Sequence, residues 1–162
     1  MVNHCDIGKK FEHDLKFKIL PRLKRKVLLH HKDRLSQRSL GDFQIEVIES
    51  GQVKEIDAKA EWLASGNFPI EIMQDWKTCD HGWYLHLFSH EVWYGRYDRQ
   101  SAKLVDVHVI DLQQVRRLPV ETTKQWRVAR TTKGQGDTIL VLAPLDELIA
   151  KGCAEEVQGY EW

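Results

Sequence analysis

Apolar residues return every fourth position at Phe11, Leu15, Ile19, Leu23 and Val27, the period of an amphipathic helix over residues 8–28. Pro21 falls inside that run and removes a backbone donor, which predicts a kink or a split into two helices. Val27-Leu28-Leu29-His30 fits the opening of a first strand equally well, and periodicity does not decide between the two. Residues 32–40 are polar and read as a loop. From Asp42 the period falls to two. Phe43, Ile45 and Val47 alternate with Asp42, Gln44 and Glu46, as in a half-buried strand. Glu49-Ser50-Gly51-Gln52 supplies a turn, after which Ile56, Ala58 and Ala60 alternate with Glu55, Asp57 and Lys59.

A two-residue turn at Ser50-Gly51 makes this a hairpin in which Asp42 faces Lys59 and Gln44 faces Asp57. Phe43 and Ile45 then face Ala58 and Ile56, so the apolar residues share one face and the acids and lysine the other. A slip of one residue would destroy that separation. The pattern therefore predicts that Asp42, Asp57 and Lys59 cluster.

A third strand is expected at Asn67-Phe68-Pro69-Ile70-Glu71-Ile72-Met73, with Glu71 opposite its apolar face and Pro69 marking an edge or a strand start. Gly82–Phe88 and Val92–Tyr97 read as a strand pair turning near Ser89-His90, and Val105–Ile110 as another strand. Asp111 is placed to cap a short helix through Leu112, Val115 and Leu118. Residues 120–137, with Gly134-Gln135-Gly136, read as a mobile loop. Thr138–Leu142 follows as a buried strand, then a helix from Pro144 to the stop at Gly152. This order predicts an α/β fold in one domain, a central mixed β-sheet flanked by helices.

The chain's 162 residues suffice for one self-supporting core, and 42% hydrophobic with 30% charged residues is the balance of a soluble globular protein. The start lacks the apolar stretch of a secretory signal and no run is long enough to span a bilayer, so the expectation is a cytoplasmic protein without membrane contact. Cys5, Cys79 and Cys153 are scattered, which argues against a disulfide framework. His30-His31 and Cys79-Asp80-His81 have poor spacing for a zinc site. The net charge is zero but uneven: residues 1–40 hold 11 Lys and Arg against 4 Asp and Glu. Lys16, Lys18, Arg22, Lys24, Arg25 and Lys26, with Arg34 and Arg38 beyond, form a basic stretch suited to a phosphate backbone.

Leu40-Gly41-Asp42, Gly51, Ile56-Asp57-Ala58-Lys59-Ala60, Phe68-Pro69-Ile70-Glu71-Ile72 and Gly82-Trp83 together resemble the PD-(D/E)xK nuclease superfamily, particularly its small bacteriophage members. The resemblance covers about residues 10–112, and residues 113–162 form a C-terminal extension with a strand and a helix. It implies a restriction-endonuclease-like core and a deoxyribonuclease that hydrolyses phosphodiester bonds with Mg²⁺ or Mn²⁺ and no organic cofactor. Such an enzyme would be structure-directed or weakly sequence-specific, a branched-DNA substrate included. On that resemblance Asp42 and Asp57 bind the metal, with the Ala58 carbonyl and Glu71 as further ligands. Lys59 orients or deprotonates the attacking water, or neutralises charge on the phosphate. A helix carboxylate assists: Glu12, with Asp14 the alternative. Leu40-Gly41 stands where the superfamily's proline precedes the first acid. DNA is the implied partner, and a homodimer would let two sites meet two strands.

Plainer readings compete. Asp57 and Lys59 would suit a surface ion pair, and Asp42 a turn cap. The aromatic pairs Trp83-Tyr84 and Trp93-Tyr94 suit core packing better than base stacking. His86 or His90 has the chemistry of a general base but no partner readable from sequence. The alternative function is a catalytically inactive nuclease-fold protein that binds nucleic acid or a host protein, and beyond it an unrelated α/β interaction domain.

Overall fold

A computed structural model of the chain describes residues 4–63, 65–75, 77–78, 80–133 and 136–158. The chain starts with α1 (His4–Asp14), a π-helical turn (Leu15–Ile19) and α2 (Leu20–Arg22). Phe11, Leu15 and Ile19 are fully buried, so the four-residue period is the buried stripe. The irregularity lies just ahead of Pro21. The Leu20 N–H reaches the Leu15 carbonyl, five residues back. Pro21 has no N–H for the Phe17 carbonyl and its ring crowds that oxygen, which a widened turn relieves.

The helix ends at Arg22 rather than residue 28. Lys24 reverses the chain at φ 54° and β1 (Arg25–His30) follows, settling the ambiguity of Val27–His30 in favour of a strand. The segment read as a loop over residues 32–40 contains a helix, α3 (Arg34–Leu40). Asp33 caps it by accepting the Ser36 N–H at 2.8 Å, a start signal that outweighs the segment's polarity.

The hairpin follows as β2 (Phe43–Val47) and β3 (Gln52–Trp62), but its turn spans Ile48–Gly51. Phe43 pairs with Ile56, Gln44 with Glu55 and Ile45 with Lys54, a shift of two from the expected register. Because the shift is even, the side-chain faces survive. What changes is the partner: Asp42 comes abreast of Asp57, not Lys59.

β4 (Asn67–Asp75) and β5 (Asp80–His81) lead to a short helix α4 (Trp83–His86). The expected strand at Gly82–Phe88 is therefore corrected to a helical turn, since short apolar runs do not separate the two. β6 (Glu91–Tyr97), β7 (Leu104–Asp111) and α5 (Leu112–Arg116) come next. Asp111 caps α5 as expected, accepting from Gln113 and Gln114 N–H. The expected mobile loop forms α6 (Val120–Thr123) and β8 (Arg127–Lys133), with Gly134 and Gln135 outside the described residues. The Cys79 of the weighed zinc grouping lies outside them too. β9 (Gly136–Pro144), α7 (Leu145–Ala150) and β10 (Ala154–Glu156) complete the fold, the expected 138–142 strand being half-buried rather than buried.

The fold is mixed α/β. Its larger sheet has the order β1-β2-β3-β6-β7-β10, with β3 and β6 parallel and the other pairs antiparallel. β4 does not extend it. It belongs to a second sheet, β5-β4-β9-β8. The C-terminal part is thus built into both sheets, because β9 flanks β4 and β10 flanks β7. One core lies under α1, where Phe11, Phe43, Ile56, Trp93 and Tyr97 pack together. The other gathers Phe68, Ile70, Val92, Tyr94, Trp126 and Leu148. No helix among the described residues is long and apolar enough to cross a membrane.

Candidate active site

Gly41 sets the first acid. It closes α3 at φ 95° and ψ −164°, a region open essentially to glycine alone. The chain then enters the sheet: the Asp42 N–H donates to the Ile56 carbonyl at 2.9 Å, and the Asp42 carbonyl accepts the His31 N–H at 2.8 Å. Asp42 Oδ2 accepts the Ala58 N–H at 2.8 Å. Asp57 and Lys59, two apart on β3, share a face, and Asp57 pairs with Val92 and Lys59 with Tyr94. Val92 and Tyr94 pack with Phe68 of β4, so this face looks toward the second sheet. From there Glu71 enters. Its carboxylate accepts the Trp83 N–H at 3.3 Å, while the Gly82 N–H is held by the Ile72 carbonyl at 2.8 Å. Asp42, Asp57, Lys59 and Glu71 line one cavity of about 320 Å³.

Burial dominates the electrostatics. It raises Asp57 to about 6, against the pull of Lys59 and with the push of Asp42. Asp42 is raised for the same first reason, again opposed by Lys59. Burial alone would lower Lys59, but Asp57, Asp42 and Glu71 outweigh it and hold the ammonium above its ordinary value. Lys59 therefore stays charged near neutrality, fit to neutralise or orient and unfit to remove a proton. Glu71 is raised chiefly by burial.

Glu12 also reaches this field. Burial raises it, Lys59 lowers it and Asp57 raises it, and its Oε2 lies 3.8 Å from His30 Nε2. Asp14 is used elsewhere: it pairs with Lys18 at 2.6 Å, accepts from the Tyr97 hydroxyl at 3.3 Å and lines a separate cavity with Lys18 and Arg22. Of the two helix acids, Glu12 is the one placed near the site.

The basic stretch divides. Arg34 and Arg38 line the acid-bearing cavity. Lys24 pairs with Glu49 at 3.1 Å, and Arg25 donates to the Leu23 carbonyl. Lys26 is exposed on β1 opposite Glu46, and Lys16 lies over the Phe17 ring. His86 is in the cavity and accepts from Arg38 Nε at 3.1 Å, with burial and then Arg38 lowering its pKa. His90 is instead tied to the backbone, its Nδ1 accepting the Glu55 N–H. Trp93 and Tyr94 are core residues, as packing predicted. Trp83 is half-buried in the cavity wall, 5.6 Å from Lys59 Nζ to the ring centre.

Gln37 and Gln74 line the same cavity and were missed in the sequence. For Gln37 the signal exists: with Asp33 as cap, Arg34, Gln37 and Arg38 fall on one helical face. Gln74 lies beyond the expected end of its strand and carries no such sign.

The donor set suits a hard divalent cation, which prefers carboxylate oxygen. Lys59 Nζ lies 2.5 Å from Asp57 Oδ2, yet out of hydrogen-bond alignment, and this buried oxygen has no aligned donor among the described residues. The described residues hold no preformed group of three or more His, Cys, Asp or Glu side chains in metal-binding geometry. No family model matches the chain, and no curated protein matches it either.

Proposed function

We propose that this protein is a metal-dependent deoxyribonuclease of the PD-(D/E)xK type, with a restriction-endonuclease-like core, hydrolysing phosphodiester bonds in DNA. One observation carries the reading: two strands of one sheet and one of a second bring Asp42, Asp57, Lys59 and Glu71 to a single cavity beside Arg34 and Arg38. Asp57, paired with Lys59, together with Asp42 and Glu71 supplies the carboxylates that would hold Mg²⁺ or Mn²⁺. The bound ion would polarise the phosphate and lower the pKa of water.

The chain's own groups divide the remaining work. Arg34 and Arg38 attract and orient the DNA backbone. The Lys59 ammonium faces the charge that develops on the phosphate. Lys59 is itself held by the acids around it, so its charge is in place before substrate arrives. Trp83 shields that ammonium on one side.

The test is incubation with plasmid, a branched junction and single-stranded DNA, in Mg²⁺, in Mn²⁺ and in EDTA. Metal-dependent cleavage that disappears in Asp57→Ala and Lys59→Ala supports the proposal. Equal cleavage by wild type and both variants overturns it and points to a contaminant. Binding without cleavage of any substrate also overturns it, in favour of an inactive nucleic-acid-binding protein.

A further inference from the structure

The rim of the cavity carries a feature that the acid centre does not use. α3 and α4 meet there: the Phe88 N–H donates to the Ser39 carbonyl at 2.6 Å, and Arg38 bonds His86. On α3, Arg34 and Arg38 lie one turn apart and point to the cavity. Leu35 and Ser39, also one turn apart, occupy the adjacent face, where the Ser39 hydroxyl is closed onto the Leu35 carbonyl. Leu35, next to Arg34 on α3, is 80% exposed, and Phe88, whose N–H meets Ser39 at the end of that helix, is 67% exposed; both are large apolar groups left in water.

We infer that this rim binds unpaired DNA, with Phe88 stacking on a base and Leu35 beside it, while Arg34 and Arg38 hold the backbone of the same strand. The inference rests on the nucleic-acid reading of the cavity and names its substrate class. Two observations favour a single strand over a duplex. Arginines one helical turn apart stand about 5–6 Å apart at Cβ, a spacing that follows one strand. An exposed aromatic beside cations is the combination that stacks bases without regard to sequence. Trp83 lines the cavity itself, but its ring is already engaged by Lys59.

Binding measured in EDTA, where cleavage cannot intervene, tests this. The probes are a labelled oligo-dT, a blunt duplex and the same duplex with a single-stranded flap. Wild type should bind oligo-dT and the flap more tightly than the blunt duplex. Phe88→Ala should weaken those two about five- to hundredfold, the range of one lost stacking contact, with the blunt duplex nearly unchanged. Phe88→Trp should restore binding. Phe17→Ala, which removes a 61%-exposed aromatic from the N-terminal helical segment, should change nothing. Equal binding of all three probes, or indifference to Phe88→Ala, overturns the inference; the second result is also what a protein-docking surface would give. The two proposals can fail separately. Metal-dependent cleavage in Mg²⁺, with oligo-dT and flap binding indifferent to Phe88→Ala, leaves the nuclease reading and removes this one. Loss of oligo-dT binding in Phe88→Ala, with no cleavage of any DNA, does the reverse.

Discussion

Gly41→Ala is the sharpest test of how the fold places the first acid. A methyl group built on Gly41 comes 2.5 Å from the Ile56 carbonyl oxygen, 2.8 Å from its carbon and 3.1 Å from Asp57 Cα. All three are backbone atoms of β3, which is held between β2 and β6, so no side-chain rotation relieves the overlap. The backbone at φ 95° and ψ −164° adds its own cost of about 1–3 kcal/mol for any other residue. Overpacking against a fixed strand adds roughly another 1–3 kcal/mol. A total near 3 kcal/mol or more corresponds to a melting temperature lowered by about 6–12 °C in a chain of this size. Gly51→Ala is the matched control. It also has a positive φ, 68°, but a methyl group there meets nothing within 4 Å. It should cost only the left-handed term, about 1–2 kcal/mol. Thermal and urea unfolding of both variants, followed by circular dichroism, gives the comparison. If Gly41→Ala is no more damaging than Gly51→Ala, the close approach of Gly41 to β3 is wrong, and with it the account of how Asp42 reaches Asp57.

Other outcomes follow from the same geometry. Asp57 is raised to about 6 from an ordinary 3.8, so its contribution to stability is full below 3.8 and is lost as pH rises through 6. In EDTA, Asp57→Asn should therefore gain on wild type between pH 4.5 and 8, by about 2 kcal/mol across that window; a difference that stays flat with pH would refute the buried-carboxylate reasoning. Lys59 is charged throughout the window, so its lost partner shifts the curve without tilting it. Gly95→Ala should destabilise the protein because the added methyl group overlaps the Phe11 ring, and Phe11→Leu should recover part of that loss in a double-mutant cycle; strict additivity in urea unfolding would contradict the contact. Gly82→Ala would drive a methyl group into the Glu71 backbone, moving Glu71 and Trp83 while leaving the main sheet intact. Its cleavage rate should fall by about a hundredfold with little change in circular dichroism, the usual cost of misplacing a reacting group by an ångström; an unchanged rate would remove Glu71 from the site.

Faces were legible in the sequence and partners were not. The alternation from Phe43 to Ala60 determines which side each residue takes, and a hairpin misread by two residues leaves that unchanged. It cannot say how many residues the turn consumes, so Asp42 was expected opposite Lys59 and stands beside Asp57. Strand neighbours were equally hidden. Nothing in Asn67–Met73 says that its ladder partner is Gly136–Pro144, more than sixty residues on, because the hydrogen bonds that join strands are made by backbone common to every sequence. The α3 helix is hidden by the polarity of its segment, and its one local sign is the cap at Asp33. Gly82–Phe88 was misread because aromatic residues suit a strand and a packed helical turn alike. In each case the lost information was long-range or conformational.

The strongest physical support for a functional reading is that the acid cluster costs the fold stability. Asp42 and Asp57 are both buried and both raised, which means each opposes folding in its charged form. One ammonium, Lys59, offsets two adjacent carboxylates with Glu71 and Glu12 nearby, so positive charge is in deficit immediately around Asp57. A core built only for stability would place apolar residues at these positions, as it does at Ile56 and Ala58 on the other face of the same strand. Ion pairs that serve structure alone are present in this molecule and look different. Arg96 meets Asp106 through two aligned hydrogen bonds of 2.8 and 2.7 Å, one guanidinium to one carboxylate. Around Asp57 the count is unbalanced and the alignment incomplete, and the imbalance opens onto a cavity rimmed by arginines. Under the proposed function, a surplus of carboxylate around Asp57 is useful when a divalent cation enters with the substrate, and it is a liability otherwise.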